Sequence, residues 1–135
     1  MKWLVDLNVI LDVIQQRAPF YDASARVISR IVQGHASGCL AGHEVTTAYY
    51  IVRRYVGRQA ADDLVDWLLN HFEILPEGKI IFERARLLNL PDFEDAAIAS
   101  AAQEAGCDHI VTRNERHFIG SPVPATSPTD LLSKL

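Results

Sequence analysis

Short apolar runs alternate with longer amphipathic stretches along the whole of this chain. The apolar runs are typical of buried strands and lie at residues 2–6, 36–40, 72–75 and 109–112. The amphipathic stretches have helical spacing and lie at 9–14, 21–34, 44–55, 60–71, 78–88 and 92–106. Strands that alternate with helices in this way form parallel sheets covered on both faces. We therefore predict an α/β fold of three layers, with helices flanking a central parallel sheet of four or five strands.

The length and composition fit one globular domain over residues 1–135. Hydrophobic residues make up 49% of the chain and charged residues 22%, which is ordinary for a domain that buries one core. The two cysteines, Cys39 and Cys107, lie in apolar stretches without zinc-ligand spacing, so we expect reduced thiols. The first apolar run stops at Asp6, which is too early for a signal peptide or membrane span. We expect a cytoplasmic protein with no membrane partner.

Polar side chains follow the predicted strands at the points where the strands end. Asp6 ends the first apolar run, Glu44 follows the second, and Thr112-Arg113-Asn114 follow the run that begins at His109. Ligands of open α/β sheets bind outside the carboxyl ends of the strands. Because these ends meet at one edge of a parallel sheet, we expect the three groups to lie close together.

A further group of acids opens the alanine-rich helix, where Asp92-Phe93-Glu94-Asp95 precedes Ala96. Asp92 is a good helix N-cap, and Asp95 can complete a capping box with it. Three acids in four residues exceed what a cap needs, and their mutual repulsion is costly unless a cation is near. Carboxylate oxygens are ligands for hard divalent cations. The pattern therefore favours a metal site.

Several classes of protein are excluded or disfavoured by the sequence. It contains no Gly-x-Gly-x-x-Gly, Walker or Gly-x-Ser-x-Gly motif, which removes dinucleotide-binding, P-loop and serine-hydrolase functions. The net charge of −4 counts against a nucleic-acid partner, because such domains usually carry a basic surface. A metal bound among carboxylates would offset that charge locally.

Four segments, taken in order, resemble the PIN domain family: Val5-Asp6-Leu7-Asn8-Val9-Ile10-Leu11-Asp12, Glu44, Asp92-Phe93-Glu94-Asp95-Ala96 and Val111-Thr112-Arg113-Asn114. The resemblance spans nearly the whole chain. Similar bacterial proteins are the toxins of VapBC-type toxin–antitoxin pairs, which are ribonucleases that depend on Mg²⁺ or Mn²⁺. The resemblance thus implies a metal-dependent endoribonuclease that hydrolyses RNA phosphodiester bonds, as the toxin of a type II pair.

Residue roles can be carried over by position from this resemblance. It implies that Asp6, Glu44 and Asp95 are catalytic acids and metal ligands, and that Asp92 is a catalytic neighbour. Four further residues would orient the ligands or the substrate, namely Asn8, Thr112, Arg113 and Asn114. The implied cofactor is Mg²⁺ or Mn²⁺.

This chain departs from the family pattern at three positions. Asn114 stands where many members have a fourth acid, and His117 stands where an acid is frequent. Leu7 replaces the small hydroxyl residue common between the first Asp and Asn. The amide of Asn114 brings no charge, so a second metal would be held more weakly.

The resemblance also implies partners. Besides an RNA substrate, it implies a small antitoxin protein that lies on an apolar groove near the early helices and reaches the acids with a basic side chain. It implies a homodimer as well.

Two other functions remain open from the sequence. With Asn114 in place of an acid, the chain could be a catalytically weak or inactive PIN-fold module that binds RNA or protein. A phosphoryl-transfer domain with Asp6 as nucleophile is the least favoured, because Asn8 stands where such a domain needs a second acid.

Overall fold

The computed structural model describes residues 1–135 and contains a five-stranded sheet. The strands are β1 (Lys2–Val5), β2 (Ser37–Ala41), β3 (Glu73–Leu75), β4 (His109–Val111) and β5 (Ala125–Thr126). Their order is β3-β2-β1-β4-β5, and every neighbouring pair is parallel. The predicted parallel sheet is confirmed, including its short fifth strand.

Seven α-helices surround the sheet. They are α1 (Leu7–Ile14), α2 (Tyr21–Val32), α3 (Gly42–Tyr55), α4 (Arg58–His71), α5 (Lys79–Leu87), α6 (Phe93–Ala105) and α7 (Pro128–Ser133). A 3₁₀ helix at Glu115–Phe118 follows β4. None of the helices has the length and apolar character that crossing a bilayer requires.

The central strand β1 divides the core into two layers. Trp3, Leu4 and Val5 are all fully buried, as expected for a strand covered on both faces. Trp3 and Val5 pack in a cluster with residues of α1, α2 and α3, whereas Leu4 packs with residues of α6 on the opposite face. This alternation produces the predicted three-layer α/β/α architecture.

The element boundaries differ from the predicted ones by one or two residues, and two differences concern the site. β1 ends at Val5, so Asp6 stands between the strand and α1. Helix α3 begins at Gly42, which is earlier than the prediction of 44 and places Glu44 in its first turn. Asp92 caps α6, as predicted, because its Oδ1 accepts a hydrogen bond of 3.0 Å from the Asp95 backbone N–H.

Gly38 on β2 offers a test of the packing between the sheet and its helices. A Cβ at this position would lie 2.7 Å from Ile31 Cγ2 and 2.9 Å from Phe72 Cδ1. We expect Gly38→Ala to lower the free energy of unfolding by about 1–3 kcal/mol, because overpacking forces neighbours off their positions. Gly78→Ala is the matched control, since its added Cβ meets nothing within 4 Å. Urea unfolding of both variants measures the difference, and equal stabilities would contradict this packing.

Candidate active site

Asp6 lies at the carboxyl end of the central strand, with its carboxylate held by neighbouring polar groups. Oδ2 accepts a 2.7 Å hydrogen bond from Thr112 Oγ1 and a 3.3 Å hydrogen bond from Asn8 Nδ2. The side chain makes no capping bond to α1, although Asp is a favoured cap residue. The local role as a cap therefore does not account for its orientation, which is set by contacts between the ends of β1 and β4.

The loop after β4 joins this network through backbone and side-chain atoms. The Asn114 backbone N–H donates to Thr112 Oγ1 at 3.0 Å, and the Arg113 backbone N–H donates to Asn8 Oδ1 at 3.4 Å. Thr112 is fully buried. Asn8, Thr112 and Arg113 thus lie together around Asp6, as the strand-end pattern predicts.

Glu44 projects from the first turn of α3 and is only 2% exposed. Its Oε1 accepts a 2.8 Å hydrogen bond from the Ala41 backbone N–H, which forms one half of a capping box, since the Ala41 side chain has no acceptor to complete it. Its Oε2 is buried without a hydrogen-bond partner. Burial, followed by the charge of Asp6, raises the pKa of Glu44 well above its usual value. Such a carboxylate oxygen has unused capacity for a ligand.

Asp95 enters the same region from the start of α6. Burial, followed by the charges of Asp92 and Asp6, raises its pKa to about 6. Burial also raises the pKa of Asp6, although the hydrogen bond from Thr112 opposes that shift. The charge of Asp6 therefore acts on both Glu44 and Asp95, although the three acids come from separate elements.

The remaining predicted site residues lie at the edge of this cluster. Asp92 is exposed, and one of its oxygens is used in capping α6. Asn114 is exposed and enters the hydrogen-bond network through its backbone rather than its side chain. His117 lies beside the acids, with its Nδ1 3.5 Å from Asp95 Oδ2.

The donor set suits a hard divalent cation. It consists of carboxylate oxygens with raised pKa values, one of which is buried and unpartnered. No three or more His, Cys, Asp or Glu side chains are close enough to hold an ion jointly. Mg²⁺ in proteins is usually bound through one or two carboxylates, several waters and substrate phosphates. The oxygen donors fit such binding, while the ligand set Asp6, Glu44 and Asp95 stays a prediction.

His43 and Glu77 also belong to this region and were missed in the sequence. The Glu77 carboxylate accepts from the His43 backbone N–H at 2.6 Å and contacts His43 Nδ1 at 2.8 Å. The opposite ring nitrogen, Nε2, lies 3.7 Å from Glu94. The signal that could have revealed Glu77 is its position two residues after β3, where the rule of polar groups at strand ends applies again.

Asp12 belongs to the family motif in the sequence, and in the structure it holds the loop after β4 through its contact with Arg113. It is fully buried, and its Oδ2 accepts hydrogen bonds from Arg113 Nε at 2.7 Å and Ser24 Oγ at 3.1 Å. Arg17 approaches its other oxygen at 3.9 Å. The pair of Asp12 and Arg113 ties the loop after β4 to the middle of α1.

An α/β protein with acids gathered at the carboxyl edge of its sheet is the class that fold and site together define. A family model described as PIN domain matches residues 2–116. The chain belongs to the PIN domain family, which confirms the resemblance found in the sequence.

Among curated proteins, Ribonuclease VapC1 of Aquifex aeolicus (strain VF5) is 29% identical over 122 residues. The alignment covers 87% of this chain and 83% of that protein.

Solved structures share the fold over most of their length. VapBC2 from Rickettsia felis, bound to a DNA fragment from its promoter, matches with a TM-score of 0.73 and 15% identity, covering 94% of this chain and 98% of that one. A toxin–antitoxin complex from Klebsiella pneumoniae matches with a TM-score of 0.70 and 19% identity, covering 93% and 96%. These similarities establish the three-layer fold independently of sequence.

The Asp12–Arg113 pair can be tested through stability. Arg113→Ala would leave the fully buried Asp12 carboxylate without its closest charged partner, which costs about 3–5 kcal/mol for buried pairs. The control is Arg116→Ala, an exposed position where we expect a change within about 0.5 kcal/mol. Chemical unfolding of both variants provides the comparison. A similar small effect for both would show that the pair contributes little.

The pKa of Asp95 predicts how stability depends on pH without divalent cations. Because this pKa is raised to about 6, the folded state binds a proton that the unfolded state releases. The contribution is fully present below the unfolded pKa and is lost as pH rises through about 6. In EDTA, the melting temperature should therefore rise as pH falls from about 7.5 to about 5.

Asp95→Asn isolates this contribution. It should raise the melting temperature near neutral pH, and its advantage over the unmodified protein should shrink toward about pH 5. Asp66→Asn removes the same charge from an exposed position of α4 and should not show this pH-dependent gain. A destabilised Asp95→Asn protein at neutral pH would contradict the electrostatic cost assigned to this carboxylate.

Proposed function

We propose that this protein is a metal-dependent endoribonuclease that hydrolyses RNA phosphodiester bonds as the toxin of a type II toxin–antitoxin pair. The observation that carries the proposal is the position of Asp6 at the carboxyl end of the central strand, where its charge acts on both Glu44 and Asp95. Membership of the PIN family and the similarity to a named ribonuclease support it. The assignment of RNA as the substrate rests on the similarity to that ribonuclease.

In this proposal, the residues of the chain have distinct tasks. Asp6 and Asp95 bind Mg²⁺ or Mn²⁺ most directly, and the unpartnered Oε2 of Glu44 completes the pocket or positions a water molecule. Thr112 and Asn8 fix the orientation of the Asp6 carboxylate through their hydrogen bonds. Such orienting contacts keep a ligand in place when an ion or substrate arrives.

The bound cation would supply Lewis-acid catalysis and lower the pKa of a bound water. The pKa values of the carboxylates are raised mainly by burial and secondarily by neighbouring negative charge, a cost that a bound cation would relieve. Asn114 contributes no charge, so we propose that a second ion is held more weakly than the first. Asp92 and His117 would adjust the charge at the rim, because both act on the Asp95 carboxylate.

Cleavage of a mixed RNA pool by the purified protein tests the proposal. We expect cleavage with Mg²⁺ or Mn²⁺ and none with EDTA. Asp95→Asn should reduce the rate by more than about 100-fold, because even the loss of a group that only orients a ligand costs about 10–100-fold. Asp66→Asn is the matched control and should cleave normally.

Two outcomes would contradict this assignment. Equal cleavage by Asp95→Asn and Asp66→Asn would place the reacting centre elsewhere or indicate a contaminating nuclease. Absence of cleavage by folded protein that binds Mn²⁺ would favour the alternative of an RNA- or protein-binding module. The exposed amide of Asn114, in place of a fourth acid, is the feature that favours this alternative.

Asn114→Asp would restore an acid at this position, so we expect it to strengthen binding of a second Mn²⁺ ion.

We also propose that a small antitoxin protein covers the apolar groove between the early helices. The groove has a volume of about 440 Å³, and nine of its ten lining residues are hydrophobic, including Ile10, Val52 and Trp67. Grooves of this character accept an amphipathic helix of a partner. Co-expression with the product of a neighbouring gene, followed by purification of the complex, tests this pairing.

A homodimer and a cytoplasmic location complete the proposal. The end of α3 and the residue after it expose large side chains, with Tyr50 at 67%, Tyr55 at 71% and Val56 at 69% exposure. Such a patch is suited to contact between protein chains. Both cysteines are free and buried, which is consistent with a reducing compartment.

A further inference from the structure

A second cleft, which we call the Arg113 cleft, lies beside the acidic site. It is bounded by Phe20, Ala23, Arg113, Ser127 and Thr129 among its lining residues and has a volume of about 350 Å³. That volume is within the range of small-molecule sites, about 300–1,000 Å³. Four of its eight lining residues are polar or charged, namely Ser24, Arg113, Ser127 and Thr129. The cleft thus differs in character from the apolar groove between α1 and α4.

The Arg113 cleft is connected to the acidic site through the loop after β4. Arg113 directly follows Thr112, whose Oγ1 donates the 2.7 Å hydrogen bond to Asp6. The Arg113 backbone N–H also donates to Asn8 at 3.4 Å. A group bound against the Arg113 side chain would therefore lie next to the loop that holds Asp6. This position suits a nucleotide beside the reacting phosphate.

The guanidinium of Arg113 is held as a fixed plane. Its carbon lies 4.0 Å from the centroid of the Phe20 ring, which is within the distance for a cation–π contact. Its Nε donates to the fully buried Asp12 carboxylate at 2.7 Å. The charge of Arg113 is thus already paired, while its side chain remains 22% exposed.

We propose that the Arg113 cleft binds a nucleobase of the RNA, adjacent to the phosphate that is cleaved. The inference rests on the proposed function of the acidic site. Guanidinium planes and aromatic rings stack on unpaired bases, and Phe20 is 42% exposed. The hydroxyl groups of Ser127 and Thr129 line the same cleft. Ser127 Oγ already accepts the capping bond from the Asp130 backbone N–H at 3.1 Å, but its O–H can donate, and Thr129 can donate and accept.

The charge of the cleft favours a base over a phosphate as the bound group. Phosphate binding depends on basic side chains that neutralise its charge. Arg113 is the sole Lys or Arg that lines the cleft, and its Nε is already bonded to Asp12. The rest of the lining is uncharged and combines apolar surface with neutral hydroxyls, which match the face and the edge of a base.

Filling the cleft tests the proposal without requiring cleavage. Ala23→Phe would place a ring in the Arg113 cleft, and Ala25→Phe would place the same ring elsewhere on α2, in a separate surface depression. Both changes are made in Asp95→Asn protein, so that the RNA stays intact. The probes are fluorescein-labelled single-stranded tetranucleotides with Mg²⁺ present, and matched probes that have one abasic position. Fluorescence anisotropy gives their dissociation constants.

We expect Ala23→Phe to weaken binding of the intact probes by roughly tenfold, the usual scale for one stacked base. The probe that is abasic at the corresponding position should bind equally to Ala23→Phe and Ala25→Phe proteins. Thr129→Val, which keeps the volume but removes a hydroxyl, should change the relative affinities for A, C, G and U probes. Because Thr129 is exposed, Thr129→Val still tests the proposal if the Ala23→Phe protein does not fold.

Three results would overturn the inference. They are an equal loss for intact and abasic probes, an equal effect of Ala23→Phe and Ala25→Phe, and a Thr129→Val protein whose base preference is unchanged. Failure of the proposed function is distinguished by the cleavage assay with the unmodified protein. Cleavage with any of these three results removes only the base subsite, whereas base-dependent binding without cleavage supports the subsite and removes the nuclease. Besides these three results, one more would overturn the subsite, namely failure of the Asp95→Asn protein to bind any of the RNA probes.

Discussion

Withdrawal of the acids Asp6, Glu44 and Asp95 from water is the constraint on which the arrangement of the site depends. The fold places these acids at the ends of separate elements and withdraws them from water, so that the pKa of each is raised. Two of them stand in the first turns of α3 and α6, where the helix dipole favours negative charge. The protein thus tolerates an electrostatic cost at one edge of its sheet that a divalent cation would relieve.

The rigidity of the central strand makes that arrangement possible. β1 is hydrogen-bonded on both sides, to β2 and β4, and three of its residues are completely buried. Asp6 therefore directly follows a strand whose backbone has little freedom. The Asp12–Arg113 pair secures the neighbouring loop in the same way, by joining α1 to the end of β4.

The sequence allowed the architecture, and the gathering of polar groups at the ends of the strands, to be predicted because both follow from local rules. Apolar runs identified the strands, and the rule of polar groups at strand ends identified Asp6, Glu44 and Thr112. Glu77 and Asp12 were missed as site residues because their roles depend on partners 34 and 101 residues away, His43 and Arg113. The pairings themselves have no local signal, although the position of Glu77 just after β3 obeys the rule of polar groups at strand ends. The family motif itself contained Asp12, but it did not indicate that this acid supports the loop.

The hydrogen bond between Thr112 and Asp6 joins residues that are 106 positions apart. β1 is made well before its partner β4, which begins only at His109. A chain leaving the ribosome therefore cannot form the bond from Thr112 to Asp6 until β4 has also been made. Contacts between such distant segments form late, because a long loop must close first. An incomplete chain lacks the assembled acidic centre, so premature termination yields fragments without it.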